Sequence, residues 1–237
     1  MTESNLMLFD RVEKVVGCES LSAFATKRII VFGVGGVGSW CVEALVRSGF
    51  RYLTLVDPDC VVESNVNRQL EATVETLGIP KVEALKSRLL SINPRAEIEA
   101  FQDFYDADHR EKFDLSQYDF VIDAIDSLKD KAALIVEATR TERCTLFSSM
   151  GAAMKIDCLR VATSEFWKVD GCPLARALRK RFKHGGEYPL RKFMCVYSSE
   201  KPIESARHVG GNGSMVHVTA TFGFALAQMV INKALFV

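Results

Sequence analysis

The 237-residue chain is 48% apolar and 25% charged, which is the composition of an ordinary soluble globular protein. Thirty basic residues balance thirty acidic ones, so net charge indicates no polyanionic partner, although it leaves room for a local basic patch. The seven cysteines form no Cys-x-x-Cys pair, which argues against a disulfide framework and a four-cysteine zinc site. The sequence starts without a basic region followed by an apolar run, so no signal peptide is visible and we expect a cytoplasmic protein. Because of the cysteine spacing, we also expect no zinc.

The first 150 residues alternate between short strands and helices. A helix is predicted at 5–16, and a buried strand at 28–32 leads directly into a glycine loop. The other predicted elements are helices at 39–48, 80–90 and 129–139, and strands at 52–56, 97–101, 120–124 and 144–147. This alternation predicts an α/β fold with a Rossmann-like, doubly wound, mostly parallel sheet.

The pattern changes after Gly151. We predict a strand at 156–162, a basic and loop-rich segment at 171–192, and a glycine-rich stretch at 206–214. Because no linker is visible, we expect a single domain over 1–237. Residues 1–150 would form its nucleotide-binding core, and 151–237 would form a C-terminal substrate-binding extension that also supplies a dimer interface.

The chain ends in a largely apolar segment, 216–237, which is interrupted by His217, Gln228, Asn232 and Lys233. A membrane-spanning helix needs about 20 apolar residues with few polar interruptions. We therefore favour a buried or dimer-interface helix, with peripheral membrane association as the alternative.

A glycine motif, Gly33-x-Gly35-x-x-Gly38, lies between the first strand and the next helix. Glycines there permit a tight turn and let backbone N–H groups approach a phosphate at the helix N-terminus. Asp57 ends the following strand, where a carboxylate can bind ribose hydroxyls. The motif therefore predicts an adenine nucleotide without deciding which one, and a purely structural turn is the alternative.

Charged residues beyond the glycine loop favour ATP over NAD. Arg68 and Lys81 could hold phosphate oxygens, because charge on a triphosphate has to be neutralised during attack. Asp123 or Asp126 could hold Mg²⁺. Each also has a structural interpretation: Arg68 could pair with Glu63 or Glu71, Lys81 could be a solvated lysine, and Asp126 could cap a helix.

Five motifs, taken together, resemble the E1-like family of ubiquitin-activating enzymes and bacterial activators of sulfur-carrier proteins (ThiF, MoeB, HesA). The resemblance implies that ATP converts a carboxylate into an acyl-adenylate. The motifs are Gly33-Val34-Gly35-Gly36-Val37-Gly38-Ser39, Asp57-Pro58-Asp59, Asn65-Val66-Asn67-Arg68-Gln69, Pro80-Lys81-Val82-Glu83 and Asp123-Ala124-Ile125-Asp126-Ser127.

The same resemblance implies site roles. It puts the α-phosphate against Gly35 and Gly36, ribose on Asp57, and Mg²⁺ on Asp126. Arg11 stands where the family's N-terminal arginine reaches into the partner subunit's ATP site, although Leu8 occupies the position of a second family arginine. The phosphate contacts would be Asn65, Arg68 and Lys81, and the nucleotide-binding set also includes Gly33, Gly38, Asp59, Asn67, Gln69, Asp123 and Ser127.

Within this family, the strings 65–69, 121–127 and 219–224 look like those of the tRNA threonylcarbamoyladenosine dehydratases. That branch adenylates the carboxylate of N6-threonylcarbamoyladenosine at position 37, in the anticodon loop of tRNA, and closes a ring with net loss of water. It also implies a homodimer and raises a cysteine desulfurase or sulfur acceptor as a partner. A basic cluster that could bind tRNA comprises Arg176, Arg179, Lys180, Arg181, Lys183, Arg191 and Lys192.

Aromatic residues beside this cluster (Phe182, Tyr188 and Phe193) could stack on splayed RNA bases. A solvated helix face over 175–183 is the alternative for the cluster. The functional alternatives are an activator of a ubiquitin-like sulfur carrier, an NAD-binding oxidoreductase and a non-catalytic scaffold. Cys195 is predicted to be a small buried residue rather than a nucleophile.

Overall fold

A computed structural model describes residues 8–108, 110–201 and 212–235 of the chain. Its centre is a seven-stranded sheet in the order β3-β2-β1-β4-β5-β7-β6. All neighbouring strands are parallel except β6 and β7, which pair antiparallel at one edge. The strands are β1 Arg28–Phe32, β2 Tyr52–Val56, β3 Glu97–Phe101, β4 Phe120–Asp123, β5 Thr145–Ser149, β6 Val161–Glu165 and β7 Met194–Ser198.

Helices cover both faces of the sheet, as expected for parallel strands buried on both sides. One hydrophobic core lies beneath α2, α3, α4 and α7, and the other lies beneath α5 and α6. The helices are α1 Asp10–Val16, α2 Cys18–Phe24, α3 Gly38–Arg47, α4 Lys81–Ile92, α5 Leu128–Arg140, α6 Pro173–Gly185 and α7 Val216–Leu235. The predicted doubly wound, mostly parallel α/β fold is confirmed.

The C-terminal part differs most from the sequence-based expectation. The segment predicted to be loop-rich contains α6, whose buried residues Ala175, Leu178 and Phe182 recur at helical spacing. The strand expected at 156–162 begins only at Val161, and both β7 and α2 had no predicted counterpart. The predicted helix 5–16 and glycine-rich stretch 206–214 lie partly outside the described residues.

The apolar helix α7 is long and apolar enough to cross a membrane, yet half of its most apolar window is buried inside the molecule. It packs on α3 at a glycine: a Cβ at Gly223 would lie 2.5 Å from the Val37 carbonyl oxygen and 2.8 Å from Trp40 Cβ. This burial matches the expected buried helix. It also places α7 directly behind the helix that begins at the glycine loop.

Candidate nucleotide-binding and active site

A cavity of about 530 Å³ opens at the carboxyl ends of the central strands. Strand β1 lies between β2 and β4 in the sheet. The chain adds β2 and β3 on one side of β1 and then crosses over to add β4 and β5 on the other side, so the strand order switches between β1 and β4. Open parallel sheets bind ligands at such a switch point. The glycine loop after β1 and the acidic segment after β4 both line the cavity.

The glycine loop needs glycine for two separate steric reasons. Gly33 has φ +85°, and a Cβ there would lie 2.7 Å from the Ala124 carbonyl oxygen. A Cβ at Gly38 would lie only 1.9 Å from the carbonyl oxygen of Gly33. The Ser39 hydroxyl donates to the Gly35 carbonyl at 2.7 Å, which fixes the first turn of α3. The loop is therefore held tightly between β1, β4 and α3.

Asp57, the last residue before the turn after β2, holds the loop from the other side. Its carboxylate accepts hydrogen bonds from the backbone N–H of Val34 at 2.8 Å and of Asp59 at 3.0 Å. Burial raises the pKa of Asp57 above its usual value, and the Lys81 ammonium and these backbone donors oppose that rise. The carboxylate lines the cavity at the predicted ribose position.

Two cations border the cavity. The Lys81 ammonium lies 2.7 Å from Asp59 Oδ2 and 3.9 Å from Asp57 Oδ1, and its side chain is only 7% exposed. The Arg68 guanidinium donates to the Ser64 carbonyl at 2.6 Å and to Asn67 Oδ1 at 3.0 Å. The structural interpretations of both residues are wrong, because Lys81 is buried and Arg68 bonds to neither Glu63 nor Glu71 in the described chain.

The two aspartates after β4 have different surroundings. Asp123 is fully buried and accepts from Lys131 at 2.8 Å, from the Ser148 hydroxyl at 2.6 Å and from the Ile125 N–H at 3.1 Å. It does not line the cavity, so its predicted nucleotide or Mg²⁺ contact is wrong. Asp126 is exposed and does line the cavity. Ser127, and not Asp126, stands at the N-cap of α5.

The structure brings together most of the predicted nucleotide-binding residues. Asn65 is buried and accepts from the Val62 N–H, and Asn67 donates to the Ser214 carbonyl at 2.9 Å. These two residues, with Gly38, support the site from outside its lining, and Arg11 lies exposed on α1. The predicted residues that line the cavity are Gly33, Gly35, Gly36, Asp57, Asp59, Arg68, Gln69, Lys81, Asp126 and Ser127.

The cavity also contains residues that were not among the predicted site residues. They come from the end of β5, the segments after β3 and β5, the first turn of α5, the start of α6, and the segment that leads into α7 together with its first turn, so they meet only through the fold. The sequence could have predicted their general position, because residues that follow parallel strands gather at the edge of the sheet where ligands bind. These residues are Phe104, Tyr105, Asp130, Ser149, Met150, Gly151, Ala152, Ala153, Leu174, Asn212, Ser214 and Thr219.

Glu71, just beyond the predicted phosphate-binding motif, is buried with only 2% exposure. Neither of its carboxyl oxygens has a hydrogen-bond partner of ordinary geometry within the described residues. Burial raises its pKa to about 7, with a further contribution from Asp57, while its own backbone N–H, the Lys81 ammonium and the nearby Ser39 hydroxyl act in the opposite direction. The wall behind Lys81 therefore holds a carboxyl group that titrates near neutral pH.

Two arginines of the predicted basic cluster have structural contacts. Arg179 donates to the Phe166 and Val169 carbonyls at 3.2 and 2.8 Å. Arg191 donates to backbone carbonyls at the C-terminal end of α5, including those of Ala138 and Thr139. Arg191 is nevertheless exposed, as are the other members of the cluster apart from Arg179: Arg176, Lys180, Arg181, Lys183 and Lys192.

The predicted aromatic stacking is wrong for two of three residues. Phe182 and Phe193 are 2% and 4% exposed and belong to the core, where Phe193 stacks on Phe166. Tyr188 is exposed. Burial likewise raises the pKa of Cys195 well above its usual value, which keeps the thiol protonated. Cys195 is therefore the buried residue that the sequence predicted.

A mostly parallel sheet, a glycine loop at its switch point and two adjacent cations define a Rossmann-type nucleotide-binding protein. The model of the ThiF family matches residues 6–235, so the chain belongs to the ThiF family. Within that family it groups with the tRNA threonylcarbamoyladenosine dehydratases. The Bacillus subtilis enzyme of that name is 39% identical over 208 residues, which cover 86% of this chain and 80% of that protein.

The Escherichia coli enzyme of the same name is 33% identical over 250 residues, covering 95% of this chain and 92% of its own. Two solved structures of that enzyme, TcdA, are similar to this chain. The complex with AMP matches with a TM-score of 0.88 at 35% identity, and the complex with ATP matches with 0.84 at 34%. Each comparison covers 95% of this chain and 93% of the other.

Proposed function

We propose that this protein is a cytoplasmic, ATP-dependent tRNA threonylcarbamoyladenosine dehydratase. It adenylates the carboxylate of N6-threonylcarbamoyladenosine at position 37 of tRNA and then closes a ring within the modified side chain. The observation that carries this proposal is the convergence of the glycine loop, Arg68, Lys81 and Asp126 on one cavity. Similarity to the dehydratases over nearly the whole chain supports the choice of substrate.

The chemistry follows from the leaving groups. A carboxylate oxygen leaves poorly, so the carboxylate first attacks the α-phosphorus of ATP and expels pyrophosphate. An internal nucleophile of the same modified nucleoside then attacks the activated carbonyl and expels AMP. Because that second step is intramolecular, the enzyme has mainly to position the reacting groups. No covalent enzyme intermediate is needed.

The described residues support distinct roles in the first step. Backbone N–H groups of the loop at Gly35 and Gly36 would face the α-phosphate at the start of α3. Arg68 would hold phosphate oxygens through its planar guanidinium, and Lys81 would act as a compact point charge. Asp57 would bind the ribose hydroxyls with the acceptor capacity that its two backbone bonds leave.

Mg²⁺ fits this site through Asp126. Within the described chain, no group of three or more His, Cys, Asp or Glu side chains could enclose a metal ion. Mg²⁺ bound with a triphosphate needs only one or two carboxylates, since phosphates and waters complete its shell. Asp126 is exposed in the cavity and Asp130 lines the same wall. A bound Mg²⁺ would neutralise charge on the departing pyrophosphate.

Transfer of the acyl group to an enzyme thiol finds no support at this site. Cys172 and Cys195 are 1% and 0% exposed, and no cysteine lines the described cavity. The activator of a sulfur-carrier protein is therefore the weaker candidate.

The experiment is an AMP-release assay with tRNA that carries N6-threonylcarbamoyladenosine and, separately, with small ubiquitin-like proteins. We expect AMP release only with the modified tRNA, with a product lighter by one water. Arg68→Ala and Lys81→Ala should each reduce release by about a hundred- to a thousandfold, as for loss of a charge-stabilising contact. Lys86→Ala, on the same helix as Lys81, is the matched control. Release that requires only the carrier protein would refute the proposal.

A further inference from the structure

A buried ion pair lies next to the loop that carries Asp126. The Lys131 ammonium, one turn into α5, lies 2.8 Å from Asp123 Oδ2 at the end of β4, and both side chains are 0% exposed. The Ser148 hydroxyl on β5 donates to the same Asp123 oxygen at 2.6 Å. None of these three residues lines the nucleotide cavity, so direct contact with a nucleotide does not account for them.

Stability alone does not require this pair. Removing a carboxylate and an ammonium group from water carries a large desolvation penalty, which their mutual attraction only partly offsets. Apolar residues of similar volume often replace such a pair without loss of stability. The pair therefore has to be explained by what its hydrogen bonds hold in place.

Both backbone polar groups of Ile125 are held by the pair. The Ile125 N–H donates to Asp123 Oδ1 at 3.1 Å, and the Ile125 carbonyl accepts from the Lys131 ammonium at 3.0 Å. An apolar pair would offer neither an acceptor nor a donor at these positions. The Ile125 carbonyl belongs to the planar peptide that joins Ile125 to Asp126, so the Lys131 bond restricts rotation of the peptide immediately before Asp126.

The loop is also anchored on either side of Asp126. The Ala124 N–H donates to the Phe32 carbonyl of β1 at 2.8 Å, and the Lys131 N–H donates to the Ser127 carbonyl at 3.0 Å. Asp126 lies between these anchored positions, and its exposed side chain lines the cavity. The direction of its carboxylate therefore depends on the peptide that Lys131 holds.

We infer that Lys131 and Asp123 form a positioning pair, which directs the Asp126 carboxylate toward the Mg²⁺ of bound MgATP. This inference rests on the proposed function, in which Asp126 holds that ion. Functional groups of such a site have to be held within about 0.5 Å by the residues behind them. Loss of supporting hydrogen bonds of this kind typically weakens metal binding about 10- to 100-fold. Lys131 and Asp123 act through Asp126 and do not themselves contact the nucleotide.

The first test replaces the pair by apolar residues, Asp123→Leu with Lys131→Met. Mn²⁺, in place of Mg²⁺, is titrated by electron paramagnetic resonance in the presence of a non-hydrolysable ATP analogue. We expect Mn²⁺ affinity to fall about 10- to 100-fold, while the unfolding temperature and the affinity for ATP in EDTA stay unchanged. The matched control is Glu43→Leu with Arg88→Met, which removes an ion pair between α3 and α4 and should keep wild-type Mn²⁺ affinity. A folded Asp123→Leu, Lys131→Met protein with wild-type Mn²⁺ affinity would overturn the inference.

Two further variants cover the other outcomes. Asp126→Asn should weaken Mn²⁺ binding at least as much, and unchanged binding there would leave the pair without a target and refute the inference. Ser148→Ala, which removes one bond to Asp123, decides the question if the double variant does not fold: weaker Mn²⁺ binding supports the pair, and unchanged binding overturns it. None of these titrations requires tRNA. If the variants weakened Mn²⁺ binding as expected but wild-type protein released no AMP with modified tRNA, the proposed substrate would be wrong and the positioning pair would stand.

Discussion

Glu71 shows how a single buried side chain can set a property of the whole site. Its oxygens lack hydrogen-bond partners within the described residues, and its pKa is raised to about 7. In the unfolded chain the same carboxyl group has the ordinary value of 4.5. Between these two pKa values the folded protein holds a proton that the unfolded chain does not. The contribution of Glu71 to stability is therefore fully present below about pH 4.5 and is lost as pH rises through about 7.

We predict that Glu71→Gln removes this pH dependence. The neutral amide never ionises, so the variant should be more stable than the wild type at pH 8, by an amount on the order of 2–3 kcal/mol. At pH 5 the difference should largely vanish. Urea unfolding at pH 5, 6, 7 and 8 measures this. Equal slopes of stability against pH in both proteins would show that Glu71 does not titrate in this range.

At the residue scale, residue types and spacing predicted most of the candidate site but could not rank its two aspartates, and only the family resemblance assigned Mg²⁺ to Asp126. The difference between Asp123 and Asp126 in the structure arises from Lys131, which pairs with Asp123 in the interior. The same limit applies to Arg179 and Arg191, whose hydrogen bonds go to distant carbonyls. Local sequence gives residue type and spacing, whereas these partners depend on tertiary contacts.

At the element scale, the parallel core was predictable because β1, β2 and β4 are short apolar runs and each is followed in the chain by a helix. The bounds of β1, β2 and β3 match the expectation residue for residue. Helix α6 was expected only as the alternative, a solvated helix face over 175–183, because its dense positive charge masks the apolar spacing of Ala175, Leu178 and Phe182. Strand β7 was missed because only its pairing with β5 and β6 distinguishes it from a loop.

The contact between α3 and α7 carries a prediction at this scale. In Gly223→Ala, the added methyl group would meet Val37 and Trp40, forcing α7 away from the helix that begins at the glycine loop. We expect a loss of about 1–3 kcal/mol in stability and weaker ATP binding. Gly185→Ala, at the end of α6 where nothing lies within 4 Å, is the matched control and should be nearly neutral. Thermal unfolding and ATP titration measure both effects, and unchanged values for Gly223→Ala would refute the tight contact.

At the scale of the whole molecule, Arg11 is exposed on α1 and does not line the cavity of its own chain. We propose that the protein acts as a homodimer in which Arg11 completes the partner's nucleotide site. Mixing inactive Arg11→Ala with inactive Lys81→Ala protein then produces heterodimers with one intact site each. Statistical exchange should restore about a quarter of wild-type AMP release. No recovery after subunit exchange would place Arg11 in its own site or outside both.

The pair between Lys81 and Asp59 has a consequence for how ligands are ranked. Asp59 is 63% exposed on its side chain, so it can turn into water at little cost, while Lys81 stays in the wall of the cavity. We propose that a phosphate bound at Lys81 would compete with Asp59 for the ammonium group. A triphosphate carries more negative charge than a monophosphate and should therefore displace Asp59 more readily, which would favour the release of AMP.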